Sequence, residues 1–469
     1  MLTYSFTDMG SDSLYMYLYK CIKKDILSGK LSADTKLPSK RSFAKNLGIS
    51  TITVENAYAQ LQSEGYIYSL PKKGFFVTKI VTSVARTVPS PVISDSTFPV
   101  IPAKHTYPID FVSNKTRPDN FPFSIWAKLI RETISEKSDE LMTTPPCGGI
   151  MELRIAICQQ LKAFRNMDIV PEQIIIGAGT EYLYGLLIQL LGFDKIYAIE
   201  NPGYQKLAHI YQSNHVPFRA IPLDSDGIDI AALKQSHSHI AHITPSHHYP
   251  TGIITTISRR YELLAWASER ADRYIIEDDY DSEFRLSGKP IPTLQSIDRS
   301  EKVIYINTFT KSLSSTVRLS YMILPKHLLE IFYRDFNFYS CTVSNFEQYT
   351  LARFLSDGYF EKHINRMRTH YKSIRNALLG ALKKSPFSSC IHISEEDSGL
   401  HFLMHIHTEL SDRELYEKAL ERGIHLAFLS QYYFQEASQN IPQHILVLNY
   451  SALTLEQIPD AIRLLAELI

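Results

Sequence analysis

The sequence predicts an α/β protein in which a small helical domain at the N-terminus precedes a larger domain with a mainly parallel central sheet. Its 469 residues are enough for two or three domains of ordinary size. The first 80 residues contain three short helical patterns followed by two short strand-like runs. From about Thr106 onward, apolar strand-like runs alternate with amphipathic helical patterns, which is typical of a parallel sheet covered by helices.

Three helices are predicted in the N-terminal domain. An apolar stripe at helical spacing runs from about Ser11 to Leu27. Ser39 and Gly48 are suited to begin and end a second helix, and Ser50 to begin a third that ends at Ser63. The residues of the third helix expected to face inward are Val54, Ala57, Tyr58 and Leu61.

A basic hairpin is predicted after the third helix. Ile67–Ser69 and Phe75–Val77 form its strands, and Pro71–Gly74 forms the turn. Two helices joined by a turn of three to four residues and followed by such a hairpin indicate a winged helix-turn-helix. The alternative is a small helical bundle used for packing or dimerisation.

A DNA-binding interpretation assigns roles to polar residues at two places. At the start of the third helix, Ser50, Thr51 and Thr53 are expected to donate to phosphates and base edges. Arg41 and the hairpin residues Lys72 and Lys73 are expected to neutralise backbone phosphates. Residues 1–80 contain 11 Lys and Arg against 6 Asp and Glu, a net charge of +5 in a chain whose total is zero. A basic domain of this kind suits a double-stranded DNA operator.

Composition excludes several other classes. The chain is 44% hydrophobic and 21% charged, and it has no apolar run near 18 residues and no secretory signal at its start. Its five cysteines are scattered and never form a C-x-x-C pair, which argues against a zinc site and a disulfide framework. We therefore expect a cytoplasmic protein without a metal or a membrane contact. The predicted division is a DNA-binding domain at 1–79, a linker rich in Val, Thr, Ser and Pro at 80–105, and an effector domain at 106–469.

Two segments of the larger domain follow predicted strands and suit a flat, phosphorylated ligand. In parallel α/β sheets, ligands bind beyond the carboxyl ends of the strands. Gly177–Glu181 opens a helix with small residues, which exposes backbone N–H groups to a phosphate. Tyr204 follows a Pro-Gly corner and could stack on a flat ring. The alternatives are an ordinary turn and a packing residue.

Two later segments carry charged groups at the same predicted edge. A carboxylate in the run that follows Ile276 could hold a protonated ring nitrogen of a ligand, and Tyr280 could reach a ring oxygen. The surrounding acidic run Glu277–Phe284 could instead be a metal site or a solvated loop. Lys311 directly follows a buried strand, where desolvation favours imine formation, and Arg318 could meet a phosphate with its planar fork.

The order of these segments resembles a known family. The N-terminal domain resembles the GntR-type winged helix, and the larger domain resembles a fold-type I aminotransferase with a small C-terminal α+β subdomain. Together they are similar to the MocR subfamily of transcription regulators, which has GabR-like and PdxR-like members. The resemblance covers residues 11–78 and 108–469. The matching runs are Leu37–Arg41 (LPSKR), Leu47–Ser50 (LGIS), Ala57–Leu61 (AYAQL), Glu64–Ile67 (EGYI), Thr244–Gly252 (TPSHHYPTG), Ile276–Phe284 (IEDDYDSEF) and Thr308–Leu313 (TFTKSL).

The resemblance implies a pyridoxal 5'-phosphate site and a role for each matching residue. Lys311 would form the Schiff base, Asp278 would pair with the pyridine nitrogen, and Tyr280 would bond the phenolic oxygen. Tyr204 would stack on the ring. The phosphate would be held by Gly179, Thr180, Thr308 and Arg318, and DNA would be contacted by Arg41, Ser50, Thr51, Thr53 and Gly74. A head-to-tail homodimer is also implied.

The chain departs from the family pattern at two positions. Thr51 stands where many GntR-type domains have an arginine, so bidentate reading of guanine is not expected there. Aminotransferases hold the substrate α-carboxylate with a late arginine, yet residues 423–462 contain no Arg or Lys, and the matching stretch is Ile445–Tyr450. Lys206 or His401 could substitute only weakly. Full transamination is therefore not expected.

These features predict a pyridoxal-phosphate-binding transcription regulator rather than an enzyme. Its effector would be the cofactor itself, as in PdxR-like members, or a small amino compound, as in GabR-like members. The regulated genes would belong to vitamin B6 or amino-acid metabolism. Residual half-transamination is compatible with this prediction. One alternative is a catalytically active aminotransferase with an accessory DNA-binding domain. Another is a purely structural domain that holds no cofactor.

Overall fold

The computed structural model describes residues 2–6, 9–80, 106–113, 116–286, 291–396, 399–434 and 440–469. The predicted linker at 80–105 lies outside the described residues except for Ile80. The chain divides into two compact units, Met1–Lys104 and His105–Ile469, and each is described by itself. No helix within the described ranges has the length and apolar character needed to cross a membrane.

The N-terminal unit has three helices and a hairpin, as the sequence predicts. Its elements are α1 (Leu14–Leu27), α2 (Lys40–Leu47), α3 (Thr51–Ser63), β1 (Ile67–Leu70) and β2 (Gly74–Val77). The first helix begins later than the predicted Ser11 because Ser13 keeps an extended backbone, with ψ at 154°. The predicted caps of the other helices are present: the hydroxyl of Ser39 accepts from the backbone N–H of Ser42 at 3.2 Å, and Gly48 closes α2 with φ at +69°.

One small core holds this unit together. Val54, Ala57, Tyr58 and Leu61 of α3 are fully buried, so the predicted inward face is confirmed. The ring of Tyr58 packs between Phe43 and Phe75, with centroid distances of 6.1 and 5.1 Å. Its hydroxyl donates to the carbonyl of Pro38 at 3.0 Å, so the buried oxygen is satisfied. The three helices and the hairpin are thereby fixed to each other, and the polar N-terminus of α3 stays outside the core.

The larger unit alternates helices and strands over its whole length. Its strands are β3 (Ile109–Asp110), β4 (Ile174–Gly177), β5 (Tyr197–Asn201), β6 (Phe218–Asp224), β7 (Gly227–Ile228), β8 (Ile240–Ile243), β9 (Tyr274–Asp278), β10 (Val303–Thr308), β11 (Ser320–Ile323), β12 (Ile391–Ser394), β13 (His401–Ile406), β14 (Ile424–His425) and β15 (Ile445–Asn449). Its helices are α4 (Phe123–Glu136), α5 (Ser138–Leu141), α6 (Met151–Arg165), α7 (Thr180–Leu191), α8 (Gln205–Ser213), α9 (Ile230–Gln235), α10 (Ile257–Ser268), α11 (Leu294–Ile297), α12 (Phe309–Ser312), α13 (Lys326–Phe336), α14 (Asn345–Ser356), α15 (Tyr359–Lys383), α16 (Asp412–Glu421) and α17 (Ile458–Ala466).

The main sheet has eight strands in the order β4-β11-β10-β9-β8-β5-β6-β7. Strands β10, β9, β8, β5 and β6 are parallel neighbours, while β11 runs antiparallel to both β10 and β4. Near the C-terminus, β12, β13 and β15 form a separate antiparallel sheet, and β3 pairs with β14. The mainly parallel sheet and the smaller C-terminal α+β part are those of the predicted fold class.

The predicted strands are confirmed, but three of them extend further than the apolar runs. Asn201 is the last residue of β5, Asp278 of β9 and Thr308 of β10. Backbone pairing continues through them, since Asp278 is in register with Ile306 and Thr308 with Ser320. These polar residues therefore lie on the sheet itself, at the edge where the parallel strands end, and have the fixed backbone of a strand.

Leu61 provides a test of the packing in the N-terminal unit. Replacing it with Ala removes a fully buried side chain, which should cost roughly 2–5 kcal/mol. We expect faster amide hydrogen exchange in α1, α2 and α3 of the full-length protein. Ile52→Ala on the same helix is the control, because Ile52 is 68% exposed, and it should leave those rates nearly unchanged. Equal exchange in the two variants would contradict the assigned core.

Candidate functional site

A cavity of about 350 Å³ lies at the carboxyl edge of the main sheet. Its walls come from the ends of β5, β8, β9 and β10 and from the starts of α7 and α12. The predicted residues that line it are Thr180, Tyr204, Asp278, Tyr280, Thr308, Lys311 and Arg318. Residues far apart in the chain are thus brought to one cavity, as expected for the edge of a parallel sheet.

Asp278 lies on the floor of the cavity and is 8% exposed. One carboxylate oxygen, Oδ2, accepts a hydrogen bond from the hydroxyl of Tyr184 on α7 and lies 3.7 Å from Nε2 of His242 on β8. The other nitrogen of His242, Nδ1, bonds the hydroxyl of Tyr211 at 2.7 Å. The remaining carboxylate oxygen, Oδ1, is buried and has no hydrogen-bond partner among the described residues. A buried carboxylate oxygen in this state suits a cationic or N–H donor from a ligand.

The neighbouring acidic residues Glu277, Asp279 and Asp281 each have their own hydrogen-bond or ion-pair partner. Glu277 accepts hydrogen bonds from two backbone N–H groups at 2.8 and 2.9 Å. Asp279 forms an ion pair with Arg165 at 2.5 Å, and Asp281 lies 2.8 Å from Nδ1 of His247. In the described part of the chain no three His, Cys, Asp or Glu side chains form a group that could hold a metal ion. The acidic run is therefore not a solvated loop, since its carboxylates have separate partners.

Lys311 lies on the short helix α12, which begins directly after β10. The cavity desolvates its ammonium and lowers the pKa of the side chain to about 8, although the carboxylate of Asp281 acts in the opposite direction. A lysine in this state has a substantial neutral fraction near neutral pH. It can therefore act as a nucleophile toward a carbonyl compound.

One end of the cavity combines a helix N-terminus with cationic side chains. Gly179 precedes α7 with φ at +93°, and a Cβ atom there would lie 2.5 Å from Nη2 of Arg318. Arg318 lies 3.4 Å from Glu181, which also pairs with Lys206. The hydroxyl of Thr308 accepts from Ser320 at 2.8 Å. Backbone N–H groups, hydroxyls and two cations suit this end to a phosphate.

Aromatic rings line the rest of the cavity. Tyr204 is 48% exposed, and its ring meets that of Tyr249 edge to face at 6.2 Å. The hydroxyl of Tyr280 lies 3.3 Å from Nδ1 of His247. Burial raises the pKa of Tyr280 well above its usual value, so this hydroxyl keeps its proton and can donate to an oxygen of a ligand.

Neither predicted substitute for the late arginine is available to a carboxylate. Lys206 is paired with Glu181 at the end of the cavity that carries Arg318. His401 donates from Nε2 to the carbonyl of Pro250 at 3.0 Å. Burial, with His247 and Lys311 nearby, holds the pKa of His401 well below its usual value, so its ring is neutral. The structure supplies no replacement at these two positions.

In the N-terminal unit, the predicted DNA contacts lie on exposed surface. Arg41, Thr51, Lys72 and Lys73 are exposed, while Thr53 and Gly74 are half-buried. Lys72 and Gly74 have positive φ, at +61° and +108°, and form the tight hairpin turn. Ser50 is engaged locally: its hydroxyl accepts from the backbone N–H of Thr53 at 3.1 Å and bonds the Thr53 hydroxyl at 2.8 Å.

Tyr184, His242, Glu200 and Tyr249 are among the cavity residues that have no predicted role. Tyr184 and His242 look like core positions in sequence, because each lies within an apolar helix or strand. Glu200 is buried, accepts two hydrogen bonds from Thr244 and has its pKa raised to about 8 by that burial. Tyr249 lies in the family-like run Thr244–Gly252. For Glu200, the signal available in sequence is a carboxylate directly after a continuous apolar run.

Comparisons with known proteins agree with this arrangement. Residues 108–463 match the family "Aminotransferase class I and II", and residues 14–77 match "Bacterial regulatory proteins, gntR family". The chain is 38% identical over 414 residues to YdeL, an uncharacterised helix-turn-helix transcription regulator of Bacillus subtilis, with 88% of each chain covered.

Two further relatives and a solved structure extend the comparison. The chain is 31% identical to the probable rhizopine catabolism regulatory protein MocR of Rhizobium meliloti, covering 94% of this chain and 90% of the relative. It is 28% identical to the pyridoxine biosynthesis transcriptional regulator PdxR of Corynebacterium glutamicum, covering 91% and 90%. The multiple substrate aminotransferase of Thermococcus profundus superposes with a TM-score of 0.67 at 23% identity, over 78% of this chain and 92% of that chain, which supports the fold.

The fold and the two matched families define a helix-turn-helix transcription regulator whose larger domain has the fold of a class I and II aminotransferase. More narrowly, the chain belongs to the MocR subfamily of GntR-type regulators. The predicted family and fold class are confirmed. The roles of the individual site residues stay predictions.

Lys311 allows a test of the electrostatics of the cavity. With a pKa of about 8, roughly half of its side chains are neutral at pH 8, against well under 1% for an unperturbed lysine. We expect its acetylation by limiting acetic anhydride, followed by mass spectrometry, to rise with a midpoint near pH 8. Acetylation of the exposed Lys20 in the same sample is measured as the reference for the amount of reagent. A midpoint above pH 10 for Lys311 would contradict the desolvated environment.

Proposed function

We propose that this protein is a transcription regulator that binds pyridoxal phosphate in the cavity and reports ligand binding to its DNA-binding domain. One observation carries the proposal: Lys311 and Asp278 line the same cavity, and Oδ1 of Asp278 has no hydrogen-bond partner among the described residues. A pyridine ring with a protonated nitrogen and an aldehyde needs those two groups. Bound there, pyridoxal phosphate supplies an electron-withdrawing ring and a carbonyl carbon that reacts with primary amines.

The residues that line the cavity fit the pyridine ring of pyridoxal phosphate. Asp278 would hold the protonated pyridine nitrogen with Oδ1, while Tyr184 and His242 keep Oδ2 in place. Tyr280, which retains its proton, would donate to the phenolic oxygen. Tyr204 would cover one face of the ring, and its exposed position at the mouth of the cavity supports this role.

The phosphate would lie at the N-terminus of α7. Gly179 lets the guanidinium of Arg318 approach the backbone closely, because a Cβ atom there would lie 2.5 Å from Nη2 of Arg318. Thr180 and Thr308 add hydroxyl donors to the same cavity. Lys311 would attach the cofactor. These five residues, together with Asp278, Tyr280 and Tyr204, make eight proposed cofactor residues, which come from five separate segments of the chain.

We further propose that the cavity is used for sensing rather than for sustained transamination. A substrate α-carboxylate needs a cationic partner, and the described cavity residues Lys206 and Arg318 both lie with Glu181 at the end assigned to the phosphate. The buried Val447, two residues before Asn449, lies in the stretch that matches the position of the late arginine. An active aminotransferase is the second candidate, since the aminotransferase fold and Lys311 are present. Turnover of roughly 1–1000 per second with an amino acid would favour it.

The N-terminal unit would bind double-stranded DNA through the start of α3 and the hairpin. Ser50, Thr51 and Thr53 would meet phosphates and base edges, and Arg41, Lys72, Lys73 and Gly74 would contact the backbone. Thr51 and the 68% exposed Ile52 suit thymine methyl groups and DNA shape better than guanine. The regulated genes would belong to vitamin B6 or amino-acid metabolism, which the similarity to PdxR supports.

A homodimer, in the head-to-tail arrangement that the family implies, is part of this proposal. Large apolar side chains on the larger unit support a self-association surface: Met142 is 75% exposed, Phe338 76% and Phe123 62%. A dimer would also present two DNA-binding domains to two half-sites.

The central test is the effect of Lys311→Ala on cofactor binding and DNA binding. Added pyridoxal phosphate should give the full-length protein the visible absorbance of a lysine-bound cofactor and should change its affinity for DNA from its own upstream region. Lys311→Ala should lose both effects, and Lys326→Ala, at an exposed lysine of α13, should keep both. Persistence of the absorbance in Lys311→Ala would refute the lysine assignment. Absorbance without any change in DNA affinity would refute sensing of the cofactor itself.

Lys73 tests the DNA interface. A phosphate contact contributes about 0.9 to the slope of log affinity against log salt concentration. Lys73→Ala should weaken binding similarly for all sequences and reduce the magnitude of that slope by about one. Lys30→Ala is the matched control, because Lys30 is already paired with Asp25 at 3.0 Å, and its slope should stay unchanged. An unchanged slope in Lys73→Ala would remove the hairpin from the interface.

A further inference from the structure

A small recess opens beside Lys311, away from the phosphate end of the cavity. Its volume is about 10 Å³, and the residues that line it are Tyr249, Tyr280, Asp281, Lys311, Leu400, His401 and Asn449. A space of this size holds about one water-sized group. A single ammonium group is small enough for the recess, whereas a carboxylate group, which has three heavy atoms, is too large for it.

The groups that line the recess favour a cation. Asp281 is 5% exposed and bears a carboxylate, and the rings of Tyr249 and Tyr280 lie 6.4 Å apart at right angles beside it. His401 is neutral, and the side-chain oxygen of Asn449 accepts from Ser451. Aromatic faces and a buried carboxylate attract an ammonium group and repel an anion.

Cationic side chains that could compensate a ligand carboxylate lie elsewhere. Arg318 and Lys206 share Glu181 at the opposite end of the cavity. Lys311 is the one cationic side chain among the described residues that line the recess, and in the proposed function its amine is engaged by the cofactor. An anionic group placed in the recess would therefore face Asp281 without a partner.

We propose that the effector is a small primary amine that carries a second ammonium group and no carboxylate beside it, with that ammonium held in the recess by Asp281 and the two tyrosine rings. This inference rests on the proposed function and names its ligand class. A short linear diamine has the required chemistry, since its second ammonium lies a few carbon atoms from the amine that meets the cofactor side of the cavity.

Three ligands of matched length test the proposal by calorimetric titration of the full-length protein loaded with pyridoxal phosphate, after unbound cofactor is removed. The first ligand is 1,3-diaminopropane. The second is β-alanine, in which a carboxylate replaces one aminomethyl group of the diamine. The third is propylamine, which lacks the second ammonium group. We expect 1,3-diaminopropane to bind at least about tenfold more tightly than either of the others. Asp281→Asn should bring the three affinities close together. Asp168→Asn, at a side chain that is 94% exposed and remote from the recess in sequence, should keep the preference.

The outcomes separate this inference from the proposed function. Cofactor loading is measured first by absorbance, and its absence in the wild-type protein overturns the proposed function and this inference with it. If the cofactor is loaded but β-alanine binds as tightly as 1,3-diaminopropane or more tightly, the inference is overturned and the proposed function is not. The same holds if the loaded protein does not bind the diamine. A preference that persists in a folded Asp281→Asn variant also overturns it. If that variant does not fold, the three ligands on the wild-type protein decide the question.

Discussion

The buried carboxylate of Asp278 is the constraint around which the site is arranged. A carboxylate at the end of a central strand loses most of its hydration, so it must be compensated by hydrogen bonds. Tyr184 from α7 and His242 from β8 converge on one oxygen, and Tyr211 from α8 orients the histidine. Three elements are thereby fixed relative to β9. The second oxygen has no hydrogen-bond partner among the described residues, which leaves it available to a ligand in the cavity that Asp278 lines.

The sheet order explains how this compensation is achieved. Strand β9 lies between β8 and β10, so the residues that end these strands become neighbours although they are separated by tens of residues in the chain. His242 is brought to Asp278 from one side, and the helix carrying Lys311 begins on the other. A parallel sheet gives such positions a common edge, and the helices that follow the strands contribute their N-termini to it.

Much of this arrangement could be predicted from sequence because it depends on local signals. Continuous apolar runs predicted the central strands, and Ser and Gly predicted the caps of α2 and α3. Polar residues after strands indicated the acidic run that contains Asp278, and Lys311, whereas the roles of Asp278 and Thr308 came from the family resemblance. Tyr184 and His242 could not be identified in that way. Each lies among apolar neighbours and resembles a core residue until the packing of α7 against the sheet brings it to the carboxylate. The partners of Lys206 and His401 likewise depend on contacts between distant segments.

The recess beside Lys311 joins two sheets that have no strand pairing with each other. Asp281 and Lys311 follow strands of the main sheet, whereas His401 and Asn449 belong to the three-stranded C-terminal sheet. Close packing continues across this boundary, since a Cβ atom at Gly399 would lie 1.9 Å from the ring of His247. The size of the recess therefore depends on the distance between the two sheets. A bound group would fix that spacing, and a substitution in β13 or β15 that shifts it would change ligand affinity without touching the ligand.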